Sequence, residues 1–396
     1  MSSALATDRD RARVAALDAE ILVLERALSA LRVQRAQAQQ RIESYKYPYP
    51  VLTLPNEIVV EIFVHFLPKY PSCPPLTGPN SPFLLTQICG KWRKIASETP
   101  ILWRAIPISD MAISRSTSDS PFDTPIPFEH QAHLFNLWLS RSQRCPLSIE
   151  LYEYLVEEWV ISPRHATEAL SIVMPHRDRW ENLVLDLLKP PRCIEGPLPL
   201  LRHLDLSLGD ALLGDAYYQP PVIPKVVLRE APLLRTVLLN AAAAQSITLA
   251  WAQLTSLTLR PHFFLRDCVP ILEATINLLH CDLCLLHSGD EYLLRIVLPF
   301  LKSLTLTYVG HDDPTGAGFL ETFDVPALSR LRVPQSMLLP NSIPAITSFL
   351  LDTGCELQEL SVTGLDTVPD FAAYREAFPS MNIFFYDRRA TLYHGS

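Results

Sequence analysis

The sequence predicts a mixed α/β chain: an N-terminal helix, a small all-α module, then an irregular solenoid of repeats with a parallel sheet. Three observations predict it. Apolar residues recur at 4-3 spacing through the first helix-like segment, two helical patterns occupy residues 54–103, and a leucine motif returns at uneven intervals beyond residue 180. With 396 residues, 48% hydrophobic and 19% charged, the chain is expected to form two or three structural units around a substantial core.

Residues 1–47 carry the first element. Leu17, Ile21, Leu24, Leu28, Leu31, Ala38 and Ile42 form a heptad seam with Arg35 as its polar break, and Glu, Arg and Gln fill the other faces. Four heptads make a helix whose isolated coiled coil is marginal. Two readings stay open: a coiled coil, or an amphipathic helix folded back on the next module. Tyr45 to Pro50 is expected to be a stiff, extended connector.

Residues 48–108 carry the second. Glu57 to Leu67 is apolar almost all round, with Glu57, Glu61 and His65 as one narrow polar stripe. Leu85, Ile88, Trp92 and Ile95 share one face of a second helix, with Lys91, Arg93 and Lys94 on the rest. Thr99-Pro100 ends that helix, because the residue before proline is pushed out of the α region. Ile101, Leu102 and Trp103 restart as a short apolar plug. About 50 residues bury a poor core alone, so docking on another protein is expected to supply the missing burial.

Leu54-Pro55-x-Glu57-Ile58, Ile62-Phe63, Ile88-Cys89-x-x-Trp92-Arg93, Ala96 and Leu102-Trp103 together resemble the F-box, the helical module that docks on the Skp adaptor of cullin–RING ubiquitin ligases. The resemblance, with the apolar surplus of these helices, points to adaptor contacts at Leu54, Pro55, Ile58, Ile62, Phe63, Leu84, Ile88 and Trp92. Some of these are expected to pack inside the module, and Trp92 and Trp103 to do both. The chain departs from the usual pattern at Lys69 to Pro82, a Pro-rich insertion in place of a short turn. Lengthening a loop there is entropically cheap.

Residues 109–127, rich in Ser, Asp, Thr and Pro, are expected to be a linker or exposed loop. Residues 128–386 form the third part. A helix around Phe135, Leu137, Trp138 and Leu139 precedes the alternating strand LSIELY, and Ala169 to Met174 precedes WENLVLDL. The motif L-x-x-L-x-L then recurs at Leu201/Leu204/Leu206, Leu234/Val237/Leu239, Leu254/Leu257/Leu259, Leu301/Leu304/Leu306, Leu328/Leu331/Val333 and Leu357/Leu360/Val362. Weaker copies sit at Trp180/Leu183/Leu185 and His280/Leu283/Leu285. The pattern reads as degenerate leucine-rich repeats. Intervening residues such as Asp205, Thr236, Asn240, Arg260, Thr305, Arg332 and Ser361 are nearly all polar, as an outward sheet face requires. Pro199, Pro232, Pro299 and Pro326 precede strands, where a preset φ helps and no ladder donor is lost.

Trp138-Leu139-x-Arg141-Ser142, Cys145-Pro146-Leu147, Pro175-His176 with Arg179-Trp180, and Phe349-Leu350 with Gly354-Cys355 resemble F-box proteins found in many fungi. That resemblance implies an N-terminal helix, an F-box and degenerate leucine-rich repeats. Residues 387–396 are expected to be a tail.

A net charge of −8 and the lack of any basic run argue against phosphate-driven nucleic-acid binding. The N-terminus lacks the apolar core of a secretory signal. The richest apolar stretch, Leu233 to Leu254, is broken by Arg235, Asn240, Gln245 and Gln253, so no membrane span is expected. A cytoplasmic or nuclear location follows, with the eight cysteines reduced. Cys281-x-x-Cys284 is read as structural; zinc would need two more ligands, and His280 and Cys268 are poorly spaced for it. With 35 prolines to 12 glycines, and no nucleophile elbow, zinc-protease motif or phosphate loop, no enzyme activity, cofactor or metal is expected. Gly316-Ala317-Gly318 reads as a loop, His176 as a cap or surface residue before an acid–base one, and Cys89 as a small hydrophobe.

The expected function is therefore a receptor: the module docks a Skp-type adaptor, and through it a cullin, while the repeats hold a client protein. Arg260, Arg330, Arg332 and Glu359 on the polar sheet face are either the client surface or residues that keep the sheet solvated. The alternative is a non-ligase interaction scaffold oligomerised by its N-terminal helix.

Overall fold

A computed structural model describes residues 2–44, 53–109, 128–153, 155–156, 159–160, 163–191, 194, 196–209, 226–286, 295–308, 319–365 and 371–387. The connector Tyr45 to Pro50, residues 110–127 of the expected linker, Gly316-Ala317-Gly318 and the tail from 388 lie outside them. The chain divides into two compact units, Met1–Val59 and Val60–Ser396.

The first unit is dominated by α1 (Ser2–Ser44), 43 residues long. Helix α2 (Asn56–Phe66) begins in this unit and ends in the second.

In the second unit α2 is followed by α3 (Pro82–Ile88), α4 (Gly90–Glu98) and a 3-10 turn, Pro100–Trp103. One continuous second helix was expected; the structure has two. Cys89 breaks them with extended torsions (φ −156°, ψ 167°), and its thiol accepts the Trp92 N–H as the N-cap of α4. The stop at Thr99 is as expected.

Strands then alternate with helices and turns. They are β1 (Ala105–Ser109), α5 (Phe128–Arg141), β2 (Leu147–Tyr152), the antiparallel pair β3 (Leu155–Val156) and β4 (Trp159–Val160), α6 (Pro163–Val173), β5 (Trp180–Leu187) and β6 (His203–Leu208). Next come β7 (Val226–Leu228), β8 (Thr236–Leu239), α7 (Ala241–Ser246), β9 (Ile247–Leu249), β10 (Ser256–Phe263), α8 (Leu265–Ala274) and β11 (His280–Leu285). The last are β12 (Ile296–Val297), β13 (Ser303–Tyr308), β14 (Phe323–Asp324), β15 (Arg330–Pro334), α9 (Ser342–Thr353), β16 (Glu359–Leu365), α10 (Phe371–Ala377) and β17 (Asn382–Asp387).

Among the described residues, eleven strands form one parallel sheet in chain order, β1-β2-β5-β6-β8-β10-β11-β13-β15-β16-β17. Two short parallel pairs, β7 with β9 and β12 with β14, are separate from it. Its inward row runs in register through Ile149, Leu183, Leu204, Val237, Leu257, Cys281, Leu304, Leu331 and Leu360, and every one of these side chains is buried. Each strand thus covers its neighbour's apolar face.

The turns before the strands share one form. Leu201, Leu234, Leu301 and Leu328 donate their N–H to the carbonyls of Leu198, Ala231, Leu298 and Val325. Pro199, Pro232, Pro299 and Pro326 therefore occupy the second turn position, which their fixed φ suits. Leu254 and Leu278 make the same bond to Trp251 and Thr275 without a proline.

One expectation needs correction. The copy placed at His280/Leu283/Leu285 is two residues out of phase: Leu257 faces Cys281, so the true set is Leu278/Cys281/Leu283 and His280 is exposed. A cysteine in a leucine position hid it. Residues 105–109, at the end of the expected second part, form β1, the edge strand paired with β2.

Candidate functional site

The second unit's helical module fills its own core before it offers a surface. Phe63 is fully buried and meets Trp92 edge-to-face at 4.9 Å. Leu85, Ile95, Ala96, Leu102 and Trp103 are buried too, and Trp103 Nε1–H donates to the Ala96 carbonyl at 2.7 Å. Phe63, named above as a docking contact, is thus a core residue: helix periodicity turns it inward while Ile62 points out. Trp92 is half-buried with its indole N–H lacking an acceptor.

What stays open is aliphatic. Ile62 is 42% exposed, Leu84 36% and Ile88 55%. The break at Cys89 explains Ile88, because α4 starts in a new direction and leaves that side chain behind on the outside. Arg93 Nε–H, donating to the Thr86 carbonyl at 2.8 Å, fixes the angle between α3 and α4. In the first unit Ile58 and Pro55 are exposed and Leu54 is half-buried.

Aromatic packing locks the module to the sheet. Trp103 lies edge-to-face against Phe83 (5.1 Å) and Trp138 (5.4 Å), and the Arg141 guanidinium sits 4.3 Å from its ring centre. Arg179 then donates to Ser142 Oγ (2.7 Å) and to the Cys145 carbonyl (3.0 Å). The segments around Trp138 and Arg179, far apart in the sequence, are therefore parts of one brace.

The insertion after α2 is anchored on the sheet's polar face. Tyr70 O–H donates to Glu181 Oε2 (2.9 Å) and accepts from Asn182 Nδ2 (3.1 Å), under the Arg104 guanidinium at 3.8 Å. Ser148 Oγ donates to the Pro71 carbonyl (2.7 Å), and Cys73 N–H to Glu150 Oε1 (3.2 Å). Burial, then the Glu181 hydrogen bond and charge, raise the Tyr70 pKa; burial, then the Glu150 charge, raise that of Cys73. Both stay neutral anchors. Ser81 caps α3 and donates to the Leu76 carbonyl, closing the insertion. The end of α2, residues 67–74 and the 3-10 turn enclose a cleft of about 570 Å³ lined partly by Val64, His65, Lys69, Tyr70, Ile101 and Arg104.

The sheet-face candidates differ from one another. Arg260 donates to Asp205 Oδ2 (2.5 Å) and Ser207 Oγ (3.1 Å), so it is held by the chain itself. Burial raises the pKa of Asp205 and of Asp186, and the Arg260 charge lowers both. Arg332 lies 5.3 Å from the Tyr386 ring centre, and its charge opposes the burial that raises the Asp282 pKa. Arg330 is exposed and stands in register beside Glu359. Asn240, an expected solvated residue, instead brackets β6, donating to the Leu208 carbonyl (2.6 Å), accepting its N–H and capping α7.

The remaining chemical candidates separate. Cys281 and Cys284 lie on opposite faces of β11, three residues apart in a strand, so they cannot chelate one ion together. His176 is kept below its ordinary pKa by burial and by Arg179. Among the described residues no cluster of three or more His, Cys, Asp or Glu is arranged to hold a metal, and no helix is long and apolar enough to cross a membrane. No protein-family model matches this sequence, and no curated protein does either.

Proposed function

We propose that this chain is the client-recognition subunit of a Skp–cullin–F-box type ubiquitin ligase, with residues 54–103 as the F-box and the sheet as an irregular leucine-rich-repeat solenoid. The observation that carries the reading is the exposed aliphatic set Ile62, Leu84 and Ile88 on a module whose core is already filled by Phe63, Leu85, Ile95 and Trp103. Such surplus apolar surface beside a complete core is what a partner protein buries. Leu54, Pro55 and Ile58 are adaptor contacts by the sequence resemblance. Phe63 and Trp92 act from beneath, setting the positions of their exposed neighbours.

The chain makes no bonds itself under this reading. It raises a client's effective concentration beside the ubiquitin-charged subunit. On the sheet, Arg330 and Glu359 suit client contact better than Arg260, which is already bound. Ile62→Asp with Ile88→Asp is expected to weaken capture of a Skp-type adaptor by about 100-fold or more. Both side chains are exposed, so the circular dichroism melt should stay within about 2 °C of the parent. Undiminished capture sinks the assignment. The scaffold alternative draws on the exposed seam of α1; failure of a cullin to co-purify with chain and adaptor would favour it.

A further inference from the structure

We propose that α1 pairs antiparallel with α1 of a second copy of this chain. The inference is independent of the ligase reading. Every described side chain from Arg9 to Ile42 is exposed, and the seam residues Leu17, Leu24 and Leu31 are 50%, 61% and 61% open. Continued through the helix, the heptad puts Val14, Ile21, Leu28 and Arg35 at a, and Asp10, Leu17, Leu24 and Leu31 at d.

The seam between its two charged residues is symmetric about the midpoint of Leu22 and Val23. Two antiparallel copies centred there set Ile21 opposite Leu24, Leu17 opposite Leu28 and Val14 opposite Leu31. The next layer outward sets Asp10 opposite Arg35, twice. The two polar breaks are of opposite sign and equidistant from the centre, so each copy supplies the other's counter-charge. Parallel pairing in register stacks Arg35 on Arg35 and Asp10 on Asp10, and sets Glu20 beside Glu25; it gains only Arg13 beside Asp18. The antiparallel arrangement brings Arg11 near Arg32 and Asp18 near Glu25 at its rim, where solvent screens them. Charges within the seam are screened less than those at the rim, and a like-charged pair costs more there, so the Asp10–Arg35 layers outweigh the rim contacts.

Burying six apolar seam side chains from each helix removes on the order of 1,200 Å² from water, the size of a stable interface. Leu22 and Val23 lie off the seam and stay outside a two-helix assembly.

Light scattering of the full chain tests this. The parent should have twice the chain mass at micromolar concentration, and Leu24→Asp should give monomer. Asp10→Arg and Arg35→Asp should each weaken dimerisation by about tenfold or more, while the double exchange restores it to near the parent. Only antiparallel pairing predicts that rescue, because parallel pairing keeps like charges opposed in all variants. A monomeric or tetrameric parent, a Leu24→Asp dimer, or a double exchange no better than either single change overturns the proposal. Circular dichroism of each variant should keep the parental strand signal, with any loss confined to the helical signal of α1, which pairing stabilises.

Discussion

Arg260 reaches from β10 past β8 to Asp205 and Ser207 on β6. Asp205 and Asp186 pay burial with raised pKa values, and this guanidinium limits both rises. Arg260→Met should therefore destabilise the fold by roughly 1–3 kcal/mol at pH 7.5, the cost of leaving partly buried carboxylates without their cation. The sign of the pH effect follows. In the variant the folded pKa of Asp205 lies still further above its unfolded value, so between the two the native state holds more protons. Variant stability then rises as pH falls through that window, and urea melts at pH 5 should show a smaller deficit than at pH 7.5. A deficit independent of pH refutes this account. The alternation of leucine with polar residues made Arg260 legible as outward-facing. Its partner, 55 residues earlier, was not, because periodicity cannot tell a solvated cation from one held by the chain's own acid.

At the level of elements, the strands were the most legible part, since each inward triplet is set by burial on both neighbours. The exception, Leu278/Cys281/Leu283, was missed because cysteine can replace leucine there as a small hydrophobe. β1 and β17 carry no full motif and went unread. The break between α3 and α4 was also hidden: the apolar spacing of Leu85, Ile88, Trp92 and Ile95 runs straight through it, and only the Cys89 torsions and thiol cap reveal it. Cys89→Ala should cost about 0.5–1 kcal/mol through loss of that cap, whereas Cys89→Ser, a better N-cap, should be neutral or stabilising. Chemical denaturation of both variants checks this; equal losses would mean that packing rather than capping holds the site.

Across the whole molecule, Trp103 belongs to two cores at once, against Ala96 and Phe83 on one side and Trp138 on the other. Trp103→Ala should cost about 3–5 kcal/mol, and residues 60–109 and the first strands should lose structure in one transition, visible as matching hydrogen-exchange protection. Separate transitions would refute that shared core. The burial shortfall expected from a 50-residue module is thus met partly from within the chain, and what remains for a partner is the narrower Ile62, Leu84 and Ile88 set. The insertion after α2 has a consequence of its own. Residues 70–73 hold the sheet through the Tyr70 hydroxyl and through the backbone of Pro71 and Cys73, so changes at the exposed side chains of Pro71 and Ser72 alter the outer surface without removing those bonds, while the strands beneath are constrained by pairing. Novel surfaces in this architecture should therefore arise first in that short segment, long before the leucine scaffold changes.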